Sequence, residues 1–217
     1  MNVILLSSGG LDSTTALYHL RSEGHEVKCL GIHYGQRHSK ELDAAQKIAD
    51  RAGVDYRLVD LSNIQPLLAG CSQTSDNIEV PEGHYTAESM KQTVVPNRNM
   101  IMLSIAMGWA VSLKYDAVAY AAHAGDHTIY PDCRPEFIEK IKEAGKLCDW
   151  HQVDLISPFA EWSKTQIVKR GLELDAPMDL TWSCYKGGDL HCGKCGTCTE
   201  RREAFKLAAI IDPTRYE

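Results

Sequence analysis

The sequence predicts an α/β chain: a doubly wound, mainly parallel five-stranded sheet with a small cysteine-rich appendage at its C-terminal end. Three observations predict it. Short apolar runs alternate with amphipathic segments along most of the 217 residues, as strands joined by right-handed crossover helices do. A glycine turn, Ser7-Ser8-Gly9-Gly10, separates the first apolar run from the first helical pattern. Four of the eight cysteines crowd together at Cys184, Cys192, Cys195 and Cys198.

In order, Asn2–Leu6 is an apolar run that reads as a buried strand, and the helix behind the glycine turn stops at Gly24. Val27–Tyr34 is the second strand, turned by Gly35-Gln36-Arg37-His38. Ser39–Ala52 places Leu42, Ala45, Ala49 and Ala52 on one helical face, and Gly53 ends it. Tyr56–Asp60 is the third strand. Residues 70–93 lose all periodicity, which predicts a substrate-covering loop, with a disordered surface excursion as the rival reading. Val94–Asn99 feeds a helix reaching Leu113 that is apolar on nearly every side, so it is expected in the core or at an interface. Asp116–Ala122 is the fourth strand, and His123–His127 begins a polar loop at the edge where open α/β sheets bind ligands. A helix over Pro135–Lys146 and a fifth strand over Gln152–Ile156 follow. Ser163-Lys164-Thr165-Gln166 has the form of a capping box opening a helix to Leu174. The expected division is a nucleotide-binding α/β domain over 1–175 and an appendage over 176–217, with its own last helix at Thr199–Ile211 and too little chain to fold alone.

Composition narrows the function classes. A hydrophobic content of 44% and a charged content of 24% belong to an ordinary globular protein. The N-terminus lacks the basic region and cleavage site of a signal peptide, and no apolar run approaches the ~20 residues of a membrane span. A cytoplasmic protein with no membrane partner is expected. Net charge is −6 with no basic cluster, which points to a small-molecule substrate and away from nucleic acid.

Strand, glycine turn and helix N-terminus together make an anion site: Gly9 and Gly10 admit backbone N–H groups to a phosphate, and the helix start adds partial positive charge. The loop differs from a Walker A sequence in having no lysine. The cysteines form C-x7-C-x2-C-x2-C, with Gly193 and Gly196 inside the two short spacers. Four thiolates can close a structural Zn²⁺ site, and the same spacing also matches the first ligands of an iron–sulfur cluster. Lys186, Lys194, Arg201 and Arg202 are available to offset its charge, and His191 is a spare ligand. Arg98, at a helix entrance, can clamp a carboxylate or a phosphate or pair with a surface acid. Lys164 is a candidate for neutralising phosphates. His33, Gln36, Arg37 and His38 follow the second strand at the ligand edge, and Asp126 and Asp132 can accept from a guanine-like edge or cap loops.

The run Ser8-Gly9-Gly10-Leu11-Asp12-Ser13 resembles the SGGxDS loop of the ATP pyrophosphatases, in which the loop holds pyrophosphate while a substrate oxygen attacks the α-phosphorus. With His33-Tyr34-Gly35-Gln36-Arg37-His38, Val95-Pro96-Asn97-Arg98-Asn99, Tyr130-Pro131-Asp132-Cys133-Arg134 and the four cysteines, nearly the whole chain resembles the 7-cyano-7-deazaguanine (preQ0) synthase family. That resemblance implies an adenine nucleotide alpha hydrolase-like fold and ATP, with Mg²⁺, as co-substrate. It implies 7-carboxy-7-deazaguanine and ammonia as substrates in queuosine-precursor synthesis, one structural zinc per chain, and a homodimer. The family's nucleotide loop maps onto Ser7, Ser8, Gly9, Gly10, Leu11, Asp12, Ser13, Thr14, Thr15, Ala16 and Leu17. Its zinc ligands map onto Cys184, Cys192, Cys195 and Cys198, which favours zinc over iron. Asp12, Ser13, Arg98 and Lys164 are the expected catalytic residues. Residues 70–93 match the family least, and nothing is carried across there. The competing class is a tRNA-thiolating enzyme on the same loop, which needs a catalytic cysteine pair or an iron–sulfur cluster; Cys71, Cys133 and Cys148 keep it open. A non-catalytic nucleotide-binding regulatory module is the third reading.

Overall fold

The computed structural model describes residues 1–217. Five strands, β1 (Asn2–Leu6), β2 (Glu26–His33), β3 (Tyr56–Asp60), β4 (Ala117–Ala119) and β5 (Asp154–Ile156), form one sheet in the order β3-β2-β1-β4-β5. Every pairing is parallel. Side chains alternate across a strand, so β1 sends Val3 and Leu5 to one core and Ile4 to the other. The first core is closed by α1 (Leu11–Ser22), α2 (Lys40–Ala52), α5 (Lys164–Glu173) and α6 (Gly196–Ala208); the second by α3 (Arg98–Leu113) and α4 (Pro135–Gly145). Helices on both faces make the sheet doubly wound. The order reverses between β1 and β4, and that switch point opens a crevice at their C-terminal ends.

Local signals act where the pattern places them. Gly53 takes a left-handed φ of 65° to end α2, and Ser163 and Gln166 exchange both bonds of a capping box at α5. β4 and β5 are shorter than their apolar runs: after Ala119 the chain leaves the sheet towards the crevice. α6 starts at Gly196, before the expected Thr199, because extended Cys195 already serves as its N-cap, and it stops at Ala208 before left-handed Ala209. α3 packs Leu103, Ala106, Met107 and Ala110 inward, with Ile101, Met102, Ile105, Trp109 and Val111 partly buried against the same core, and leaves Met100, Ser104, Gly108, Ser112 and Leu113 exposed.

Residues 70–93 form a packed cover. Cys71, Ser72, Gln73, Thr74, Tyr85, Met90 and Thr93 are buried. Arg37 Nη2 donates to the carbonyls of Ser75, Asp76 and Ile78 at 2.9–3.1 Å, and Gly83 N–H reaches the Lys194 carbonyl at 3.0 Å. The C-terminal segment in turn buries Ala204 and Phe205 in the same core as Val3 and Leu5. No helix is long and apolar enough to cross a membrane.

Candidate active site and metal centre

The glycine loop is shaped by its own side chains. Gly9 has a φ of +78°, and a Cβ there would collide with the Glu41 carbonyl and the Ala45 amide, so α2 passes too close for any other residue. The Gly9 carbonyl accepts from Trp182 N–H at 2.9 Å. Ser13 Oγ accepts from Ser8 N–H at 3.2 Å and lies 3.1 Å from Ser8 Oγ, while Thr14 Oγ1 donates to the Gly10 carbonyl at 2.7 Å. No side chain caps the start of α1. Its opening N–H groups therefore remain available to an anion.

That helix start borders a cavity of about 240 Å³. Ser7, Ser8, Gly10, Leu11, Asp12 and Ser13 line it; Thr14, Thr15, Ala16 and Leu17 are absent from its wall and buried in the core beneath. α1 therefore presents only its first turn to the cavity.

A charged cluster lies beside the loop. Lys164 Nζ is 2.6 Å from Asp12 Oδ2 and 3.3 Å from Glu200 Oε2. Burial pushes the Asp12 carboxyl up, but Lys164 and then His123 outweigh it and hold the group below its ordinary range. Lys164 is raised: burial opposes its charge, and Asp12 and Glu200 more than compensate. Glu200 is pushed up by burial, with Lys164 opposing. His123, 2% exposed, accepts from Gly125 N–H at Nδ1 (3.1 Å), so on the neutral ring Nε2 carries the proton. That nitrogen faces Asp126 Oδ1 at 3.5 Å and Glu200 Oε1 at 3.9 Å. Asp12 Oδ1 is buried with no partner, a feature that suits an incoming cation or nucleotide.

Much of the rest of the cavity wall is aromatic, with Tyr34, Tyr85, Tyr120, Tyr185 and Trp182 together with Arg98, Asn99 and Cys133. Tyr85, from the cover, donates to Asp126 Oδ1 at 3.0 Å. Burial raises Tyr34 to about 12, with Arg98 opposing. Of the residues after the second strand, none of His33, Gln36, Arg37 and His38 reaches the cavity wall. His33 faces Asp60 at 3.4 Å, Gln36 accepts from Tyr34 N–H at 2.9 Å, Arg37 ties down the cover, and His38 packs on Trp182. Asp126 lines the cavity and also accepts from His123 N–H at 3.1 Å. Asp132 accepts from Asn99 N–H at 3.1 Å, capping the start of α3.

The four cysteine sulfurs lie within 4.8 Å of one another, all buried, with Cys192 Sγ and Cys198 Sγ 4.0 Å apart. A tetrahedron with metal–sulfur bonds of about 2.3 Å has edges of about 3.8 Å, so the set fits a single ion; a cubane cluster holds its ligand sulfurs around a larger cage. Cys192 Sγ accepts from Lys194 N–H at 3.5 Å and Cys195 N–H at 3.3 Å, contacts that support a thiolate. Arg201 does not offset the site's charge: it is fully buried and donates to Asp212 at 3.1 Å, Thr181 Oγ1 at 2.6 Å and the Met178 carbonyl at 3.0 Å. His191 accepts from Ser183 N–H at 3.0 Å and stacks on Trp182, outside the set. Residues beside the cysteines reach the cavity: Ser183 and Tyr185 flank Cys184, and Thr197 and Glu200 lie within two residues of Cys198 near the start of α6.

A family model described as Queuosine biosynthesis protein QueC matches residues 2–209. The 7-cyano-7-deazaguanine synthase of Caldicellulosiruptor saccharolyticus is 50% identical over 217 residues, 100% of this chain and 96% of that protein. Its counterpart in Hahella chejuensis is 51% identical over 214 residues, 99% of this chain and 92% of that protein. Among solved structures, the U34-tRNA thiolase NcsA of Methanococcus maripaludis with its [4Fe-4S] cluster superposes with a TM-score of 0.51 at 16% identity. It covers 100% of this chain and 74% of that one, a likeness of fold alone. With a family match along nearly its whole length and relatives at half identity, the chain belongs to the QueC family of queuosine-biosynthesis enzymes.

Proposed function

We propose that this chain converts 7-carboxy-7-deazaguanine and ammonia to 7-cyano-7-deazaguanine at the expense of ATP, by two adenylations in one site. The observation that carries the reading is the single cavity joining an uncapped, glycine-shaped helix start to a wall of tyrosines and Arg98. A carboxylate oxygen attacks the α-phosphorus, and pyrophosphate leaves against the N–H groups of Leu11 to Ser13. Ammonia then displaces AMP from the acyl carbon and loses a proton, leaving the amide. The amide oxygen attacks a second ATP in the same way, and loss of two N–H protons with departure of the second AMP gives the nitrile. The protein's contribution is positioning and charge stabilisation, from the loop and Lys164 on the phosphates and Arg98 on the substrate, with Ser13 bracing the loop.

Asp12, through its unpartnered Oδ1, is the residue to meet a Mg²⁺ that accompanies ATP and offsets phosphate charge. Cys184, Cys192, Cys195 and Cys198 are the proposed ligands of one zinc per chain, which supplies folding free energy and no open coordination position. We assign residues 1–175 to the nucleotide-binding body and 176–217 to the metal-bearing segment that walls it. The reading includes a homodimer, and a cytoplasmic location is supported by thiols suited to metal. Net charge of −6 supports a free base as substrate in place of tRNA. The thiolation reading requires a catalytic cysteine pair or an iron–sulfur cluster, and the four clustered sulfurs fit a single ion. Burial, then Asp126 and Asp132, push the Cys133 thiol on the cavity wall well above the usual range, which keeps it protonated and unreactive.

The test is to supply 7-amido-7-deazaguanine and ATP without ammonia. Nitrile should form; an inert amide would show that the second adenylation does not occur in this site.

A further inference from the structure

We propose that Arg98 grips the ionised 7-carboxylate of the substrate and takes no part in holding the nucleotide, so that it separates the acid from the amide within one reaction sequence. This rests on the function proposed above. Two cations line the cavity, and they stand in opposite situations. Lys164 is already neutralised, with Asp12 at 2.6 Å and Glu200 at 3.3 Å. Arg98 makes no ion pair: Nε donates to Asn99 Oδ1 at 3.4 Å, and its surroundings are the phenols of Tyr34 and Tyr185, then the Asp132 carboxylate out of contact and the thiol of Cys133. The neighbouring acids are otherwise engaged. Asp132 caps α3 through Asn99 N–H. Glu41 is bonded by Gln36 Nε2 at 3.2 Å, and burial pushes its carboxyl up, with Arg98 opposing.

A guanidinium never deprotonates in a protein, and Arg98, half-buried in the cavity wall, holds its charge there with no carboxylate in contact. A planar carboxylate satisfies it through two parallel N–H···O bonds. The competing anion, the nucleotide's phosphates, already has donors in the opening N–H groups of α1. The substrate carboxylate has no comparable donor elsewhere on the aromatic wall, where a flat base would lie. Once ammonia has replaced the oxygen, the substituent is neutral and the ion pair is lost, while ring contacts persist.

The experiment measures equilibrium binding of 7-carboxy- and 7-amido-7-deazaguanine without ATP, to the wild type, Arg98→Gln and Arg98→Lys, with KM for ATP taken in the amide-driven reaction. In Arg98→Gln, acid binding should weaken by about 10- to 100-fold, the worth of a hydrogen-bonded charge pair, while amide binding changes less than about 3-fold and KM for ATP holds. Arg98→Lys should recover part of the acid affinity only. Equal losses for both ligands, or a KM for ATP that rises as much as acid binding falls, overturns the inference by assigning Arg98 to the nucleotide. Should the variants fail to fold, the wild type still decides: acid must bind at least about 10-fold more tightly than amide, and equal affinities overturn the inference. A wild type that turns over neither compound overturns the functional reading itself, a different result from equal binding of two competent substrates.

Discussion

Lys164→Met removes the one lysine from a cluster that also holds Asp12, Glu200, Asp126 and His123. Lys164, Asp12 and Glu200 are only 16%, 23% and 13% exposed, so solvent replaces little of the lost attraction. Breaking a buried pair by deleting one partner costs about 3–5 kcal/mol, and that loss is expected at pH 8. The sign of the pH dependence follows from the groups left behind. With Lys164 present, Asp12 sits below its ordinary range; without it burial is opposed only by His123 and a backbone hydrogen bond, and the carboxyl rises. Glu200, already raised by burial, rises further. An acid whose folded pKa exceeds its unfolded value binds more protons in the folded state, so stability falls as pH rises through that window and returns as pH is lowered. The variant's loss relative to wild type should therefore be smaller at pH 5.5 than at pH 8, as Asp12 and Glu200 begin to take up protons in the folded chain. Urea unfolding of metal-loaded protein at the two pH values measures it. A loss below about 1 kcal/mol at pH 8, or a loss that does not shrink at pH 5.5, would refute the picture of a lysine compensating buried carboxylates.

Two further expectations concern the loop and the metal. Gly9→Ala places a methyl against the Glu41 carbonyl at a φ of +78°; displacing the loop by about 1 Å should cost about 100-fold in turnover. Gly24→Ala, at φ +80° with open space around it, should cost about 1 kcal/mol and leave turnover intact. Equal effects of the two would remove the argument for loop geometry. Anaerobically purified protein should hold one zinc per chain, and Cys198→Ser should lose it together with ligand binding to the cavity, because Thr197 and Glu200 lie within two residues of that position. Stoichiometric iron and sulfide would contradict the metal assignment, and unchanged binding after metal loss would contradict the coupling.

Much of the fold was legible because its signals are local. The apolar runs, Gly53, the capping box at Ser163 and the glycine loop each act within a few residues, and the structure places each where its chemistry predicts. Strand order is not local: nothing within β4 states that it pairs with β1. The site was legible at its loop and its cysteines, and Lys164 and Arg98 do reach the cavity. His123 and Tyr85 were legible only as parts of a ligand-edge loop and a covering segment; Glu41, Tyr185, Thr197 and Glu200 were missed, since each converges from a separate segment and looks like a solvated or core residue in its own neighbourhood. Arg201 misled in the other direction. Basic residues beside a thiolate cluster invite an electrostatic role, yet burial sends this one to Asp212. Thr14 to Leu17 belong to the matching loop in sequence, but a helix offers a ligand only its first turn, and the remainder is core.

The central claim, two adenylations of one substrate in one site, is tested most directly by following the substrate's oxygens. With both carboxylate oxygens of 7-carboxy-7-deazaguanine replaced by oxygen-18, each nitrile formed should be accompanied by two AMP, each bearing one heavy oxygen, and by unlabelled pyrophosphate. Heavy inorganic phosphate with ADP, or a single labelled AMP per nitrile, would contradict the account.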